Sequence, residues 1–307
     1  MASTRFFRYL APNLITLSSM IFGLVSLWSS AHGNHHLAAW LIIYAVLTDR
    51  LDGIVARAVK GTSELGMQLD SFADFLNFGV SPAFLVLTYL SGRPDLPYAE
   101  GAAHTALFVV CGGWMLCAVF RLARYNVLAD DQIPTKIFFG FPTTLSGGLL
   151  AIWFLVMLKY DPSYAAAHGA WGGAKLFGDS VHTPLWAWKY LPVFVAIFGY
   201  LMASRLPMPK VGMTKNKVIS YILLGLVATG YVCGFAMHYP ELVFWMPSVW
   251  CVIFLIVGQA SPKWRAMYPP PLFPKVEPVK DVLRPQADME DLVLDESVGA
   301  GTGPDAK

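Results

Sequence analysis

Apolar runs of roughly 20 residues, the length an α-helix needs to cross about 30 Å of hydrocarbon, begin near Pro12, His36, Gly66, Ala102, Gly140, Leu185, Lys217 and Leu242. They predict about eight membrane spans. None of the alternating strands of a barrel is present, and helices close their backbone hydrogen bonds within each segment. The expected fold class is therefore all-α, a polytopic membrane helix bundle. The Gly/Ala-rich stretch from Tyr160 to Thr183 is too polar and interrupted to span, and no role can be read from it. From Ser261 the chain becomes Pro-rich and then acidic, with little to bury. The predicted organisation is a cytoplasmic N-terminal segment (1–11), a transmembrane domain (12–260) that carries the chemistry, and a disordered cytoplasmic tail (261–307).

Composition supports this pattern: 56% of residues are hydrophobic, 14% are charged and the mean hydropathy is +0.52, outside the range of soluble domains. Orientation follows from the preference of Lys and Arg for the cytoplasmic side. With the N-terminus inside, Arg5, Arg8, Arg57, Lys60, Arg121, Arg124, Lys136, Arg205, Lys210, Lys215 and Lys217 all fall inside. Only Arg93, Lys159, Lys175 and Lys189 fall outside, and an even number of spans returns the C-terminus to the cytoplasm. Topology accounts for the net charge of +2, which gives no reason to expect a nucleic-acid partner. Cys111, Cys117, Cys233 and Cys251 lie in apolar runs without CxxC spacing and read as small buried hydrophobes. The first apolar run lacks a clear cleavage site and is expected to be a retained helix.

Against this background Asp49, Asp52, Arg57, Asp70 and Asp74 need a cause, because an Asp near the middle of a span costs about 2.5–3.5 kcal/mol on insertion scales. One such residue could sit in the headgroup layer at a helix end; four on matching stripes are not explained that way. At about 100° per residue, Asp49, Asp52, Gly53, Ala56 and Arg57 share one face of the second helix. Gly66, Asp70 and Asp74 advance in i+4 steps along the third. The short polar link Lys60–Glu64 makes the two an antiparallel hairpin. Asp49 then faces Asp74, Asp70 faces the Asp52/Gly53 level, and Arg57 faces Gly66. Four converging carboxylates require a counter-charge that one arginine cannot supply. Oxygen ligands without His or Cys select Mg²⁺, Mn²⁺ or Ca²⁺, so a divalent site, with two ions, is expected. Small residues in membrane helices commonly serve close packing; set between the carboxylates and Arg57, Gly53, Ala56 and Gly66 also leave a slot. Metal plus guanidinium suits a diphosphate.

These residues fill every fixed position of D-x2-D-G-x2-A-R-x8-G-x3-D-x3-D, and the chain in this respect resembles the CDP-alcohol phosphatidyltransferase family. The resemblance implies a six-helix core, from Pro12 to about Pro209, within the eight-helix bundle. It implies Mg²⁺ or Mn²⁺, as two ions on Asp49, Asp52, Asp70 and Asp74, and CDP-diacylglycerol binding at Gly53, Ala56, Arg57 and Gly66. Further runs are similar to the bacterial-type phosphatidylserine synthase branch: "GMQLDSFADFLNFGVSPA", "APNLITLSS", "FRLARYN" (Phe120–Asn126) and "FFGFPTT" (Phe138–Thr144). Asn77 stands where Ser is common there, Ser19 where Asn is common, and "GFPTT" departs from the usual G-x-P-x-P. By this resemblance the acceptor is L-serine, and Asp74 takes the proton from its hydroxyl. Arg121, Arg124 and Asn126 are candidates for the acceptor pocket, since guanidinium groups suit a carboxylate; the arginines equally suit anchors at the headgroup level. The implied setting is a bacterial cytoplasmic (inner) membrane, the site and both termini on the cytoplasmic side, and the chain a homodimer. Transfer to glycerol 3-phosphate or an inositol phosphate is the alternative within the family. An ion transporter is the alternative outside it, and would place acids at several depths. His32, His35, His36, His104, His168, His182 and His238 map to the outer side, and Arg50 has no role assignable on sequence grounds.

Overall fold

A computed structural model describes residues 2–59, 64–128, 137–209 and 217–260. Helix α1 (Ala2–Ala31) packs along α2 (His35–Val59). Helix α3 (Glu64–Asp74) runs through a π-helical segment, Phe75–Val80, into α4 (Ser81–Ser91) as one rod. Then follow α5 (Gly101–Leu128), α6 (Thr143–Lys159), the short α7 (Pro162–His168), α8 (Leu185–Ala203), α9 (Lys217–Ala236) and α10 (Pro240–Ala260). Each of the eight apolar runs thus finds a long rod. Residues 2–11, expected ahead of the first span, are helical and continuous with it. The predicted tail, 261–307, and the hairpin link at 60–63 lie outside the described residues.

Among the described residues, four stretches are long and apolar enough to cross a membrane alone: Asn13–Ala31, Leu65–Ser91, Gly101–Val127 and Leu185–Ala203. The pair Thr143–Lys159 and Pro162–His168, bent by 79°, meets the same test only when counted as one broken span. Helix α2 falls short because Asp49, Arg50, Asp52 and Arg57 interrupt its second half. The chain is an integral, polytopic, all-helical membrane protein. Its one sheet among the described residues is a short antiparallel pair, β1 (Ile137–Phe139) with β2 (Pro207–Pro209), Phe138 opposite Met208.

The centre of the bundle is filled by Trp40, Phe78, Trp114, Phe154 and Trp188, all fully buried. Lipid is as apolar as these side chains, so close packing rather than the hydrophobic effect holds the helices together. At Gly147 a Cβ would lie 2.8 Å from the Phe78 Cβ, which shows how closely α6 approaches the π-helical segment. Within that segment the widened ladder exposes carbonyls to side-chain donors. The Trp114 indole donates to the Phe78 carbonyl (3.1 Å) and the Ser81 hydroxyl to that of Leu76 (2.9 Å).

At the end of the bundle where α4 stops, the 160–183 connection is anchored by charge. Asp161 Oδ1 accepts from the Ser163 N–H (2.9 Å) and caps α7. Its Oδ2 accepts from Tyr89 (3.0 Å) and Arg93 (2.6 Å). Lys159 donates to the carbonyls of Gly172 and Ala174 and to Glu241 Oε2, each at 2.9 Å, while Tyr160 donates to Glu241 Oε1 (2.8 Å). Lys159 and Glu241 are both buried, so the pair ties α10 to α6 and the connection. His36 and His168 join an aromatic layer here around Tyr164 and Trp171.

Candidate active site

The opposite end of the bundle gathers the acids. Carboxylate oxygens of Asp49 on α2, and Asp70 and Asp74 on α3, all lie within 4.8 Å of one another. Asp74 interacts directly with Asp49 and is in electrostatic reach of Asp70 and Arg121. The local cause is the helical stripe: Asp70 and Asp74 are one turn apart on α3, which stacks their side chains on one face, and α2 presents Asp49 to it. At an effective dielectric of about 20, two charges at this separation repel by roughly 3 kcal/mol. Three such acids, with only hard oxygen donors among them, suit Mg²⁺ or Mn²⁺ and do not suit zinc.

Asp52, Ala56 and Arg57 lie on the same helix as Asp49, but their side chains fall outside the described residues. Gly53 and Gly66 are half-buried on α2 and α3. Asp74 directly precedes the π-helical segment, a feature that recurs at functional sites and that no residue pattern announced.

Three sequence motifs meet beside this cluster. Arg121, buried on α5, donates to the Thr143 hydroxyl at the start of α6 (2.8 Å). Its guanidinium faces Asp74 electrostatically and Tyr125 at 5.7 Å, and its Nε is buried with no hydrogen-bond partner. Arg124 is used differently: it donates to the carbonyls of Ala203 (3.0 Å), Ser204 (2.9 Å) and Phe139 (3.4 Å), clamping α5 to the end of α8 and to β1. Gly140 permits that clamp. Its φ is +81°, and a Cβ there would lie 2.7 Å from the Met202 and Ser204 carbonyl oxygens. Asn126 donates to Ser71 (2.8 Å), between the two aspartates of α3. Thr143 and Ser71 are the contacts that sequence reasoning missed, although both lie inside the motifs it quoted.

Comparison with known proteins agrees with this arrangement. The family model described as CDP-alcohol phosphatidyltransferase matches residues 9–177. The chain is 30% identical over 219 residues to the CDP-diacylglycerol–serine O-phosphatidyltransferase of Helicobacter pylori, covering 70% of this chain and 78% of the relative. It is 28% identical over 263 residues to the protein so named in Mycobacterium bovis, covering 84% and 81%. The Bacillus subtilis protein of that name is 32% identical over 152 residues, covering 49% of this chain and 77% of the relative.

Proposed function

The chain belongs to the CDP-alcohol phosphatidyltransferase family, and from that premise we propose that it transfers the phosphatidyl group of CDP-diacylglycerol to the hydroxyl of L-serine, giving phosphatidylserine and CMP. The observation that carries this reading is the convergence of Asp49, Asp70 and Asp74 beside the buried Arg121. The names of the similar proteins support serine as the acceptor.

In this reading Asp49, Asp52, Asp70 and Asp74 hold Mg²⁺ or Mn²⁺, as two ions. Bound there, the divalent charge offsets that of the diphosphate and of the departing CMP. Arg57 holds the diphosphate in the slot left by Gly53, Ala56 and Gly66. Asp74 takes the proton from the serine hydroxyl as its oxygen attacks the phosphorus that carries the diacylglycerol. The bond from that phosphorus to the bridging oxygen breaks, and CMP leaves with the electron pair. Arg121 receives the serine carboxylate with its free Nε–H, a charge-assisted bond in a buried setting. Asn126 and Arg124 hold the floor of that pocket through Ser71 and the α8 carbonyls. Acceptors bearing a phosphate would want a denser cationic pocket, and the Arg124 donors are already engaged by carbonyls.

The Lys and Arg distribution supports a site on the cytoplasmic face of a bacterial inner membrane with both termini inside. Residues 12–260 then form the catalytic domain, flanked by cytoplasmic segments 1–11 and 261–307, and the chain works as a homodimer. The test is CMP release by the purified protein from CDP-diacylglycerol with Mg²⁺ or Mn²⁺ and single acceptors. Release with L-serine is expected. Release with glycerol 3-phosphate or an inositol phosphate in its place would overturn the acceptor, and release with none would overturn the transfer.

A further inference from the structure

Helix α9 lies beyond the residues matched by the family model, and the transfer reading gives it no task. It is nevertheless tied to α2 just short of the acids. The Tyr44 hydroxyl on α2 donates to the Phe235 carbonyl on α9 (2.7 Å), and the Tyr231 hydroxyl on α9 donates to the Leu47 carbonyl on α2 (3.2 Å). These contacts advance along α2 as they go back along α9, so the two helices run antiparallel. Gly234 allows the close approach, since a Cβ there would lie 2.8 Å from Leu47 Cδ1 and 3.6 Å from Ile43 Cγ2. Small residues serve this purpose where helices meet in lipid.

The two tyrosines differ in where their bonds fall. Leu47 stands two residues before Asp49, about 3 Å of helix rise, and Tyr231 is in electrostatic reach of the Asp49 carboxylate and of Arg50. Tyr44 stands five residues before Asp49, about 7.5 Å of rise, and its bond ends near the last turn of α9. An ion shared by carboxylates on two helices needs each ligand held to within about 0.5 Å. Groups that hold ligands from behind therefore set metal affinity along with the ligands themselves. On the α3 side, Asp70 and Asp74 flank Ser71, which accepts from Asn126. We infer that Tyr231 does the corresponding work on the α2 side: it is a positioning residue whose bond to the Leu47 carbonyl fixes the turn of α2 that presents Asp49 to Asp70 and Asp74. The inference rests on the divalent-cation reading of that cluster and deepens it by giving α9 a share in the site. A hydroxyl among apolar side chains is costly unless bonded, and the Leu47 carbonyl meets that need.

Tyr231→Phe keeps the ring and removes this bond, and Tyr44→Phe does the same to the other. Mn²⁺ binding to each full-length protein in detergent is followed by electron paramagnetic resonance without donor or acceptor. The melting temperature is measured beside it in excess chelator. Tyr231→Phe is expected to weaken Mn²⁺ binding about tenfold and Tyr44→Phe to leave it within about twofold, for similar small losses in melting temperature. The Mn²⁺ concentration that half-saturates CMP release should rise in Tyr231→Phe by the same factor as the Kd. Unchanged Mn²⁺ affinity in Tyr231→Phe would overturn the inference and leave the transfer reading standing. Equal weakening in both variants would overturn it as well, since the bonds would then act only by holding α9 to α2. A native protein that binds Mn²⁺, is weakened tenfold by Tyr231→Phe and yet releases no CMP with any acceptor would support the positioning role and count against the transfer.

Discussion

Asn77 on the π-helical segment donates to Ser19 on α1 across 2.8 Å, and both residues are buried. Both are positions at which the chain departs from the branch it resembles, where Ser is common at 77 and Asn at 19. In this chain the donor sits on the π-helical segment and the acceptor on α1. Gly23 makes room for the Asn77 side chain, since a Cβ there would collide with its carboxamide oxygen. The two departures thus meet in one contact beside the helix that carries Asp70 and Asp74.

Asn77→Ala should therefore destabilise the protein by about 0.5–2 kcal/mol, the span of interhelical hydrogen bonds in membranes. Ser19→Asn with Asn77→Ser should recover most of that loss. Thermal unfolding in detergent of the single and double variants checks the coupling; additive losses would mean that the pair does not act as a unit.

The arginines of the "FRLARYN" run should separate by phenotype. Arg121→Lys removes the fork that the serine carboxylate would meet and is expected to raise the KM for serine roughly tenfold or more with little change in melting temperature. Arg124→Lys loses donors to the carbonyls of Phe139, Ala203 and Ser204 and should lower the melting temperature while raising the serine KM of the folded protein less than Arg121→Lys does. Measuring both quantities on both variants decides the division; a swapped pattern would exchange their roles.

The buried Lys159–Glu241 pair, 2.7 Å apart, should matter for folding and not for chemistry. Lys159→Met strands an anion inside the bundle and should cost about 3–5 kcal/mol, whereas adding Glu241→Leu should return much of it. Folded yield in detergent reports the first effect, and CMP release per folded protein should remain near the native value.

Much of the site was legible because lipid makes charge expensive: acids on spans demand a partner, and helical periodicity then says which faces meet. The helical stripes alone predict that Asp49, Asp70 and Asp74 meet, and in the structure they do. They could not divide labour between Arg121 and Arg124, since an i,i+3 spacing does not reveal that α8 brings carbonyls to one of them alone. The π-helical segment at 75–80 had no local signature either, as its partners Trp114 and Gly147 come from other helices. Lys159 counted as an outward-facing charge because Glu241, 82 residues away, was not recognisable as its neighbour. The same blindness to remote pairing hid β1 and β2, which meet across some seventy intervening residues.

The central claim is that the acids of α2 and α3 are a divalent-cation site, and Mn²⁺ binding followed by electron paramagnetic resonance tests it without reference to turnover. Saturable binding to the native protein, competed by Mg²⁺ and lost or greatly weakened in Asp70→Asn and Asp74→Asn variants that still fold, is the expected result. Undiminished Mn²⁺ binding in both variants, or none in the native protein, would contradict it.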